Sequence, residues 1–512
     1  MLLAASLPPF GWWPLAIVGA GLLVSGLREQ PPRWRFVCGL AAGAGLYGPS
    51  LWWVVDFSVP GYVVLLLVES AIIAAALLLV PDGPMVGRML AFPGALVLAE
   101  MVRGHFPLGG LPLAGIDLGQ AASPLAPAAR LGGHLLLVAL VGLGGVVVAL
   151  LGEFLVRRVD VRVIRETEHA DGRSALLRIE PRRQVATAVA AAALVLLVVG
   201  IAALGASAGK GAPGRLLRVA AVQGGGPRGL RAIDVDASTV FDAHLETTAR
   251  LKRPVDLVVW PENVVNVDGP LDGSREDAAM SDLARRLNAT IVAGVVEDEP
   301  GNRRFRNAAV AWASDGSRVA RYDKVHRVPF GEYIPARSLV SRLADVSAVP
   351  RDAIAGRGPG VLTTPVGPLG VVISYEVFFS DRARAAIQGG GQMLLVPTNA
   401  SSYRSSQVPA QELAAARLRA LETGRAVVQA APTGFSALVD ANGHVAEHSD
   451  LGPPAIIEGR VRMRSGETLA TRLGETPLAF AAIVTLVAAW TSRILNDLRP
   501  GRATNSDARP AS

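Results

Sequence analysis

The sequence predicts a membrane-embedded helical bundle joined to an α/β domain, and three observations support this. Of the 512 residues, 51% are hydrophobic and only 5% are aromatic, and the mean hydropathy is +0.37. Apolar runs fill residues 1–206, whereas short β-rich runs alternate with helical stretches over residues 215–463. A last apolar run, Pro477–Trp490, follows the polar part. Because soluble proteins of this size rarely have this composition, we interpret the apolar runs as membrane spans.

The N-terminal part contains six apolar runs separated by short breaks. Several are a little shorter than the roughly 20 residues that cross a bilayer unaided. Met1–Phe10 resembles the tail of one further span, and with Pro477–Trp490 the sequence predicts about eight spans. The six runs are Leu15–Leu27, Phe36–Val55, Tyr62–Val80, Met89–Val102, Leu131–Leu151 and Ala186–Leu204.

Basic residues predict the orientation. Arginines follow the second span, fill the loop Glu153–Gln184 and follow the last span, so the positive-inside rule makes these segments cytoplasmic. The loops Asp56–Gly61 and Gly104–Ser123 carry little basic charge. Alternation then places the α/β domain outside the cytoplasm. The predicted units are a transmembrane bundle, the α/β domain, a last transmembrane helix and a cytoplasmic tail, at residues 1–207, 208–475, 476–495 and 496–512.

Composition excludes several classes of function. A single cysteine, Cys38, rules out an internal disulfide framework and a cysteine zinc site. The net charge of +7 is not concentrated in basic patches with interleaved aromatics, so we expect no nucleic-acid partner. The N-terminus lacks a charged region followed by a cleavage site and is predicted to be an anchor. No His-x-x-x-His pair, acidic cluster or phosphate loop is present, so we expect no metal and no cofactor.

The α/β domain is predicted from near-continuous apolar strands that alternate with helices, a pattern typical of a sheet covered on both faces. Gly205–Gly214 is interpreted as a flexible linker from the membrane. The predicted strands are Leu217–Gln223, Asp256–Trp260, Thr290–Val296, Ala308–Ala313, Leu369–Ser374, Met393–Pro397, Ala426–Ala431 and Ser436–Val439. The predicted helices are Ser238–Lys252, Asp277–Leu287, Asp381–Gln388 and Gln407–Thr423.

Two segments of this domain carry candidate acid–base groups. Glu262 follows an apolar strand and Pro261, at the kind of strand end where catalytic groups gather. Burial there would raise its pKa, as a general base requires. Lys324 follows the turn Asp315-Gly316 and, if buried, could stabilise an oxyanion. Glu332 could pair with this lysine or support the base. Taken singly, each of the three is more simply interpreted as a solvated surface residue.

The third segment carries a candidate nucleophile. Ser374 ends the strand that begins at Leu369, and Tyr375-Glu376 begins the turn out of it. A side chain presented where a strand breaks into a helix has the geometry of a nucleophile. The alternative is a serine that merely closes a strand.

Together these segments resemble the nitrilase superfamily of Glu/Lys/Cys hydrolases, in order and in rough spacing. A longer string, Gln411–Arg425 followed by Thr433-Gly434, and the membrane block narrow the resemblance to the apolipoprotein N-acyltransferase family, over almost the whole chain. The segments that carry it are Trp260–Glu262, Tyr322–Lys324, Val328–Pro335 and Ile373–Glu376, with Pro8–Pro14, Glu100–Gly104 and Phe106–Gly115 in the N-terminal part.

The resemblance implies a nitrilase-like α-β-β-α sandwich on the extracytoplasmic face of a bacterial inner membrane. Glu262 would be the general base and Lys324 would stabilise the tetrahedral intermediate. Residue 374 would attack the sn-1 ester of a phospholipid, and the diacylated N-terminal cysteine of a lipoprotein would then accept the acyl chain. Glu332 and Glu376 match supporting acidic positions, and Tyr375 matches a substrate-contacting aromatic.

Two features depart from the family pattern. Ser374 stands where the family has a cysteine, whose thiol ionises near pKa 8.5. A serine hydroxyl ionises several units higher, and each uncompensated pKa unit could cost up to about 1.4 kcal/mol. No His/Asp relay is visible in the sequence. After Asn399, the segment Ala400–Tyr403 replaces an aromatic-Gly pattern.

Three hypotheses follow from the sequence. The chain is an N-acyltransferase that uses Ser374, a catalytically silent relative that binds lipid or lipoprotein, or a membrane-tethered amidase. Retention of Glu262, Lys324 and Glu332 argues against a silent relative, and the membrane block argues against an amidase. We therefore predict the first.

Overall fold

The computed structural model divides the chain into a helical part and a two-sheet part. It describes residues 1–82, 85–171, 181–226, 236–299, 301, 304–342, 346–347, 349–403 and 405–498. Within these residues the helices are α1 Leu2–Ser6, α2 Pro14–Gly26, α3 Pro32–Ser50, α4 Val59–Leu78, α5 Met85–His105, α6 Ala129–Asp171, α7 Pro181–Ser207, α8 Ala237–Thr248, α9 Arg275–Leu287, α10 Arg337–Val340, α11 Ser380–Gln388, α12 Gln407–Thr423, α13 Leu469–Leu473 and α14 Thr476–Asp497.

The predicted apolar runs form helices α2 to α7 and α14. Four helices are long and apolar enough to cross a membrane among the described residues, namely α4, the Ala126–Val156 segment that contains most of α6, the Val185–Ser207 part of α7, and α14. Helix α2 is apolar but has only 13 residues. Helix α5 is less apolar because it carries Glu100 and Arg103, which form a buried ion pair.

The predicted cytoplasmic loop Glu153–Gln184 is largely helical, which corrects the sequence interpretation. Helix α6 continues to Asp171, and α7 begins at Pro181. The segment 153–171 contains no glycine between Glu153 and Asp171 and no proline, so nothing in it breaks a helix. Residues 172–180 and the tail from 499 onward lie outside the described residues.

Two sheets make up the C-terminal part. The first has the order β14-β1-β2-β4-β5-β6, with β3 on β4 and β7 on β5, and the second has the order β13-β12-β11-β10-β9-β8. The strands are β1 Ala212–Gln223, β2 Leu257–Val259, β3 Val265–Val267, β4 Thr290–Asp298, β5 Arg304–Trp312, β6 Arg318–Asp323, β7 Asp352–Ala353, β8 Val361–Thr364, β9 Gly367–Val371, β10 Leu394–Pro397, β11 Val427–Ala430, β12 Ala437–Val439, β13 Val445–His448 and β14 Ala455–Ser465.

The inner strands of each sheet, such as β2, β4, β10 and β11, are buried on both faces, which explains their near-continuous apolar sequences. In β1, Val219 joins the core between the two sheets, together with Ile373 and Leu395 from the second sheet. The next residue, Ala220, faces the opposite side and packs with Phe241 of α8. Helices α11 and α12 cover the outer face of the second sheet. The α-β-β-α order that the sequence predicted is therefore confirmed.

Helix α12 also joins the sandwich to the helical bundle, because its apolar residues and those of α6 belong to one core cluster. Glu422 accepts a hydrogen bond from the His134 backbone N–H at 2.6 Å. Arg130 donates to the Ala441 carbonyl at 3.0 Å. Only residues 208–211 separate α7 from β1, so the connection interpreted as a linker is short. The sandwich therefore lies directly against the bundle.

Candidate active site

Glu262 lies just beyond the end of β2, at the edge of the first sheet where this strand ends. Its side chain is buried, and the next residue, Asn263, has a left-handed φ of 58° that turns the chain sharply. Gly294 of β4 allows this approach, because a Cβ added there would overlap the Glu262 backbone. The backbone N–H of Glu262 donates to the Thr398 carbonyl at 3.3 Å, which connects the two sheets at this point.

Lys324 follows β6 and reaches the same carboxylate. Its Nζ lies 2.8 Å from Glu262 Oε1 and 3.0 Å from Glu332 Oε1. The Asn307 amide Nδ2 donates to the same two oxygens, at 2.8 and 2.7 Å. Glu332 is fixed from its other oxygen by the Val328 backbone N–H at 2.7 Å. The structure therefore brings together the three charged residues that the sequence singled out.

Burial and mutual charge set the ionisation of this group. Burial raises the pKa of Glu262, and the Glu332 charge raises it further, while the Lys324 ammonium opposes both. For Lys324, burial acts to lower the pKa, but the two carboxylates outweigh burial and raise it above its ordinary value. The lysine therefore stays charged at neutral pH, as stabilisation of an oxyanion requires.

Ser374 begins a short 3₁₀ helix, Ser374–Phe378, just after β9. Its φ of 49° is left-handed, a conformation that non-glycine residues seldom adopt and that clusters at functional sites. The side chain is buried. Its Oγ lies 3.2 Å from Thr398 Oγ1 and 3.5 Å from Glu412 Oε1. The geometry expected of a nucleophile at a strand end is therefore present.

Thr398 is the point at which the two halves of the site meet. Its carbonyl accepts from the Glu262 backbone, and its hydroxyl donates to Glu412 at 2.7 Å and lies close to Ser374. It follows β10, whose parallel pairing with β9 brings the ends of both strands together.

Glu376 anchors the Ser374 turn to the Lys324 segment. One of its oxygens accepts from the backbone N–H groups of Val325 at 2.8 Å and His326 at 3.0 Å. The other accepts from the Ile373 N–H at 2.9 Å. Because Glu376 is fully buried and bonds to both segments, it holds them at a fixed distance.

Tyr375 connects the site to the helical bundle. Its hydroxyl donates to the Gly110 carbonyl at 2.8 Å. Beside it lies a cavity of about 160 Å³ between the loop at Gly110 and the segment 325–333, with Arg327, Tyr333 and Phe379 among its lining residues. The cavity adjoins the residue next to Ser374 and is therefore a candidate path for substrate.

Sequence reasoning missed Glu412, Thr398 and Asn307. Glu412 lies within the Gln411–Arg425 string but had no assigned role, and burial raises its pKa to about 7. The divergent segment Ala400–Tyr403 packs against the bundle, since the Tyr403 ring lies 5.1 Å from Trp53 and 5.8 Å from Phe57.

The arrangement provides a hydroxyl, two carboxylates with raised pKa and an ammonium in one buried region. These are the groups that acyl transfer through a covalent intermediate requires. Among the residues that the structure describes, no group of three or more His, Cys, Asp or Glu is placed to hold a metal ion.

Family models match both parts of the chain. Residues 218–469 match the family model described as carbon-nitrogen hydrolase, and residues 1–147 match the apolipoprotein N-acyltransferase N-terminal domain. Among solved structures, the nitrilase-superfamily protein Nit3 of Saccharomyces cerevisiae has a TM-score of 0.39 at 19% identity, covering 52% of this chain and 96% of its own.

Curated relatives match over nearly the full length. An apolipoprotein N-acyltransferase of Mycolicibacterium smegmatis is 30% identical over 503 residues, covering 94% of this chain and 81% of the relative. One of Azotobacter vinelandii is 30% identical over 530 residues, covering 97% and 94%. The predicted resemblance is confirmed: the chain belongs to the apolipoprotein N-acyltransferase family, with a nitrilase-like α/β domain.

Proposed function

We propose that this chain transfers an acyl chain from a phospholipid to the N-terminal diacylglyceryl-cysteine of a lipoprotein, with Ser374 as the nucleophile. The observation that carries the proposal is the convergence of Ser374 with the buried Glu262–Lys324–Glu332 group at Thr398. Relatives that span nearly the whole chain are named for this activity.

In the first half-reaction, Ser374 Oγ attacks the sn-1 ester carbonyl of the phospholipid. As the bond between Oγ and the acyl carbon forms, the Oγ–H bond breaks. As the bond to the glycerol oxygen breaks, that oxygen takes up the proton and a lysophospholipid leaves. The negative charge that develops on the carbonyl oxygen is stabilised by the Lys324 ammonium, which its two carboxylate partners keep protonated.

In the second half-reaction, the α-amine of the diacylglyceryl-cysteine attacks the acyl-serine. The carbon–nitrogen bond forms, the bond to Ser374 Oγ breaks, and the proton lost by nitrogen is returned to Oγ. Glu262 is the proposed general base, because burial raises its pKa toward the working pH. Glu332 holds Lys324, and Glu376 and Tyr375 hold the Ser374 turn against Lys324 and the bundle.

We further propose that the chain is a multi-pass protein of a bacterial inner membrane, with about eight passes and the sandwich on the extracytoplasmic face. The proposed units are the bundle 1–207, the catalytic domain 208–475, the last span 476–495 and the tail 496–512. Exposed apolar side chains support contact with lipid, including Leu196 and Val199 on α7 and Phe480 and Val487 on α14. Both proposed substrates lie in the outer leaflet, which the sandwich would then face.

Purified protein in detergent, given phospholipid and a diacylated lipopeptide, tests the proposal. We expect an N-acylated peptide, and intact-protein mass spectrometry without peptide should detect an acyl ester on Ser374. Ser374→Ala should abolish both. Acylation by the alanine variant at the parent rate would exclude Ser374 as the nucleophile, and binding of lipid without any ester would favour a silent relative.

A further inference from the structure

Ser374 contacts a carboxylate other than Glu262, the general base of the proposed mechanism. Within the described part of the chain, Ser374 Oγ has two hydrogen-bond partners: Thr398 Oγ1 at 3.2 Å, and Glu412 Oε1 at 3.5 Å, to which Ser374 donates. The Glu262 carboxylate instead binds the Lys324 ammonium and the Asn307 amide through Oε1. The carboxylate that contacts Ser374 is therefore not the Glu262 carboxylate that binds Lys324.

We propose that Glu412 accepts the Ser374 proton in the first half-reaction, directly or through Thr398, while Glu262 acts toward the incoming amine in the second. This inference rests on the proposed function. A serine nucleophile needs a base within reach of its attacking oxygen, and Glu412 would be that base. A cysteine in the same place would need such a base far less, because a thiol ionises more readily.

The surroundings of Glu412 suit this task. Its side chain is buried on α12, and Thr398 donates to the same oxygen, Oε1, that accepts from Ser374. The Ser374 contact of 3.5 Å is long, as catalytic hydrogen bonds often are before substrate tightens them. The Thr398 hydroxyl has one proton and donates it to Glu412, which is nearer than Ser374. The Ser374 hydroxyl therefore does not compete for this proton and can donate its own to the Glu412 carboxylate.

The charges that face Glu412 come from several elements. Burial raises its pKa to about 7, the Thr398 hydrogen bond lowers it, the Glu262 charge raises it, and the Lys324 charge lowers it. The Tyr403 phenol also interacts electrostatically with this carboxylate. A base whose pKa is close to neutral is about half ionised at pH 7, which is the favourable range for proton transfer.

As the Oγ–acyl carbon bond forms, the Oγ–H bond breaks and its proton passes to a Glu412 oxygen. As the ester bond to glycerol breaks, that proton is delivered to the glycerol oxygen, and Glu412 returns to its ionised form. No oxidant, reductant or further reactant takes part.

Labelling of Ser374 by an alkyl fluorophosphonate in detergent tests the inference without requiring the full reaction. The serine oxygen bonds to phosphorus and fluoride leaves, so the rate reports activation of the hydroxyl. We expect Glu412→Gln to slow labelling on the order of 10²- to 10⁴-fold, the usual contribution of a general base. The exposed Glu447→Gln variant is the matched control and should label at the parent rate. Equal rates for Glu412→Gln and the parent, or no labelling of the parent at Ser374, would overturn the inference.

A second measurement separates a base from a structural support. The Glu412→Gln effect on the acylation rate is compared in the parent and in a Ser374→Cys background, as a double-mutant cycle. We expect the loss to fall below about tenfold with the thiol, which needs less help to ionise. The labelling rate of the parent should also rise through an apparent pKa near 7, and this titration should vanish in Glu412→Gln. Equal losses in both backgrounds with an unchanged pH profile would mean that Glu412 only supports the fold.

The outcomes for the two proposals are distinguishable. Labelling that depends on Glu412 in a protein that makes no N-acylated peptide would refute the proposed function and leave the activation of Ser374 intact. N-acylation that is lost in Ser374→Ala but unaffected in Glu412→Gln would refute only the role of Glu412.

Discussion

Glu412→Gln should change the pH dependence of stability as well as the rate, because the protein buries a carboxyl whose pKa is raised. The pKa rises from an ordinary value of 4.5 to about 7, mainly through burial. The folded state therefore binds this proton more tightly than the unfolded state, and the parent loses stability as the pH rises from about 4.5 to 7. Above pH 7 the carboxylate is ionised in both states and the loss is complete.

The magnitude follows from the size of the pKa rise. At about 1.4 kcal/mol per pKa unit, the raised pKa of Glu412 destabilises the parent by up to about 3 kcal/mol above pH 7. Glutamine does not titrate, so any fixed cost of its amide is the same at every pH. The free energy of unfolding of the variant minus that of the parent should therefore increase by up to about 3 kcal/mol between pH 4.5 and pH 8.

Thermal unfolding in detergent, followed by tryptophan fluorescence, measures this difference. For a chain of 512 residues, about 3 kcal/mol corresponds to a relative Tm change of roughly 3 °C, at about 2.1 cal/mol/K of unfolding entropy per residue. Glu447→Gln, which removes an exposed carboxylate of β13, should show a constant difference from the parent. A Glu412→Gln difference that stays constant from pH 4.5 to 8 would refute the view that Glu412 is buried with a raised pKa.

Three further outcomes are expected. Ser374→Cys should raise the N-acylation rate, because a thiol ionises more readily; no gain in initial rate would mean that substrate contacts limit turnover. Lys324→Met should lower the rate about 10²- to 10³-fold by removing the positive charge beside the oxyanion, measured by acyl-ester formation, and an unchanged rate would contradict its role. A topology reporter at Gly466 should be active only outside the cytoplasm and one at Asp171 only inside; the reverse pattern would invert the orientation.

Both ends of helix α12 were predicted from the sequence. The predicted bounds Gln407–Thr423 coincide with the observed helix, and Gly424 ends it in the left-handed conformation with φ 64°. Strand β14 escaped prediction although it pairs with β1 over ten residues. Its apolar residues alternate with arginine and glutamate, since its outer face is partly exposed, and no long apolar run marks it. Its buried residues Ile457, Val461 and Met463 keep a period of two, which is the signal that could have identified it.

The charged half of the site was predictable and the serine half was only partly so. Glu262, Lys324 and Glu332 each stand in a recognisable segment, and their convergence requires only the strand order of one sheet. Glu412 lies 38 residues after Ser374, on a helix whose bounds were predicted but whose contacts were not. A local pattern cannot show which residue of an outer helix reaches through to a strand end, because that depends on how α12 packs on β10 and β11.

The absence of a His/Asp relay in the sequence does not leave Ser374 without a base. Two carboxylates share the site, and each has a different neighbour: Glu262 has a cation at 2.8 Å, whereas Glu412 has hydroxyls at 2.7 and 3.5 Å. The Lys324 ammonium favours the charged form of Glu262, whereas burial raises the pKa of Glu412 to about 7. Glu412 therefore lies beside a hydroxyl, which is harder to ionise than a thiol. Because a serine demands more of its base than a cysteine does, the serine nucleophile and the buried glutamate on α12 act together in the proposed chemistry of the site.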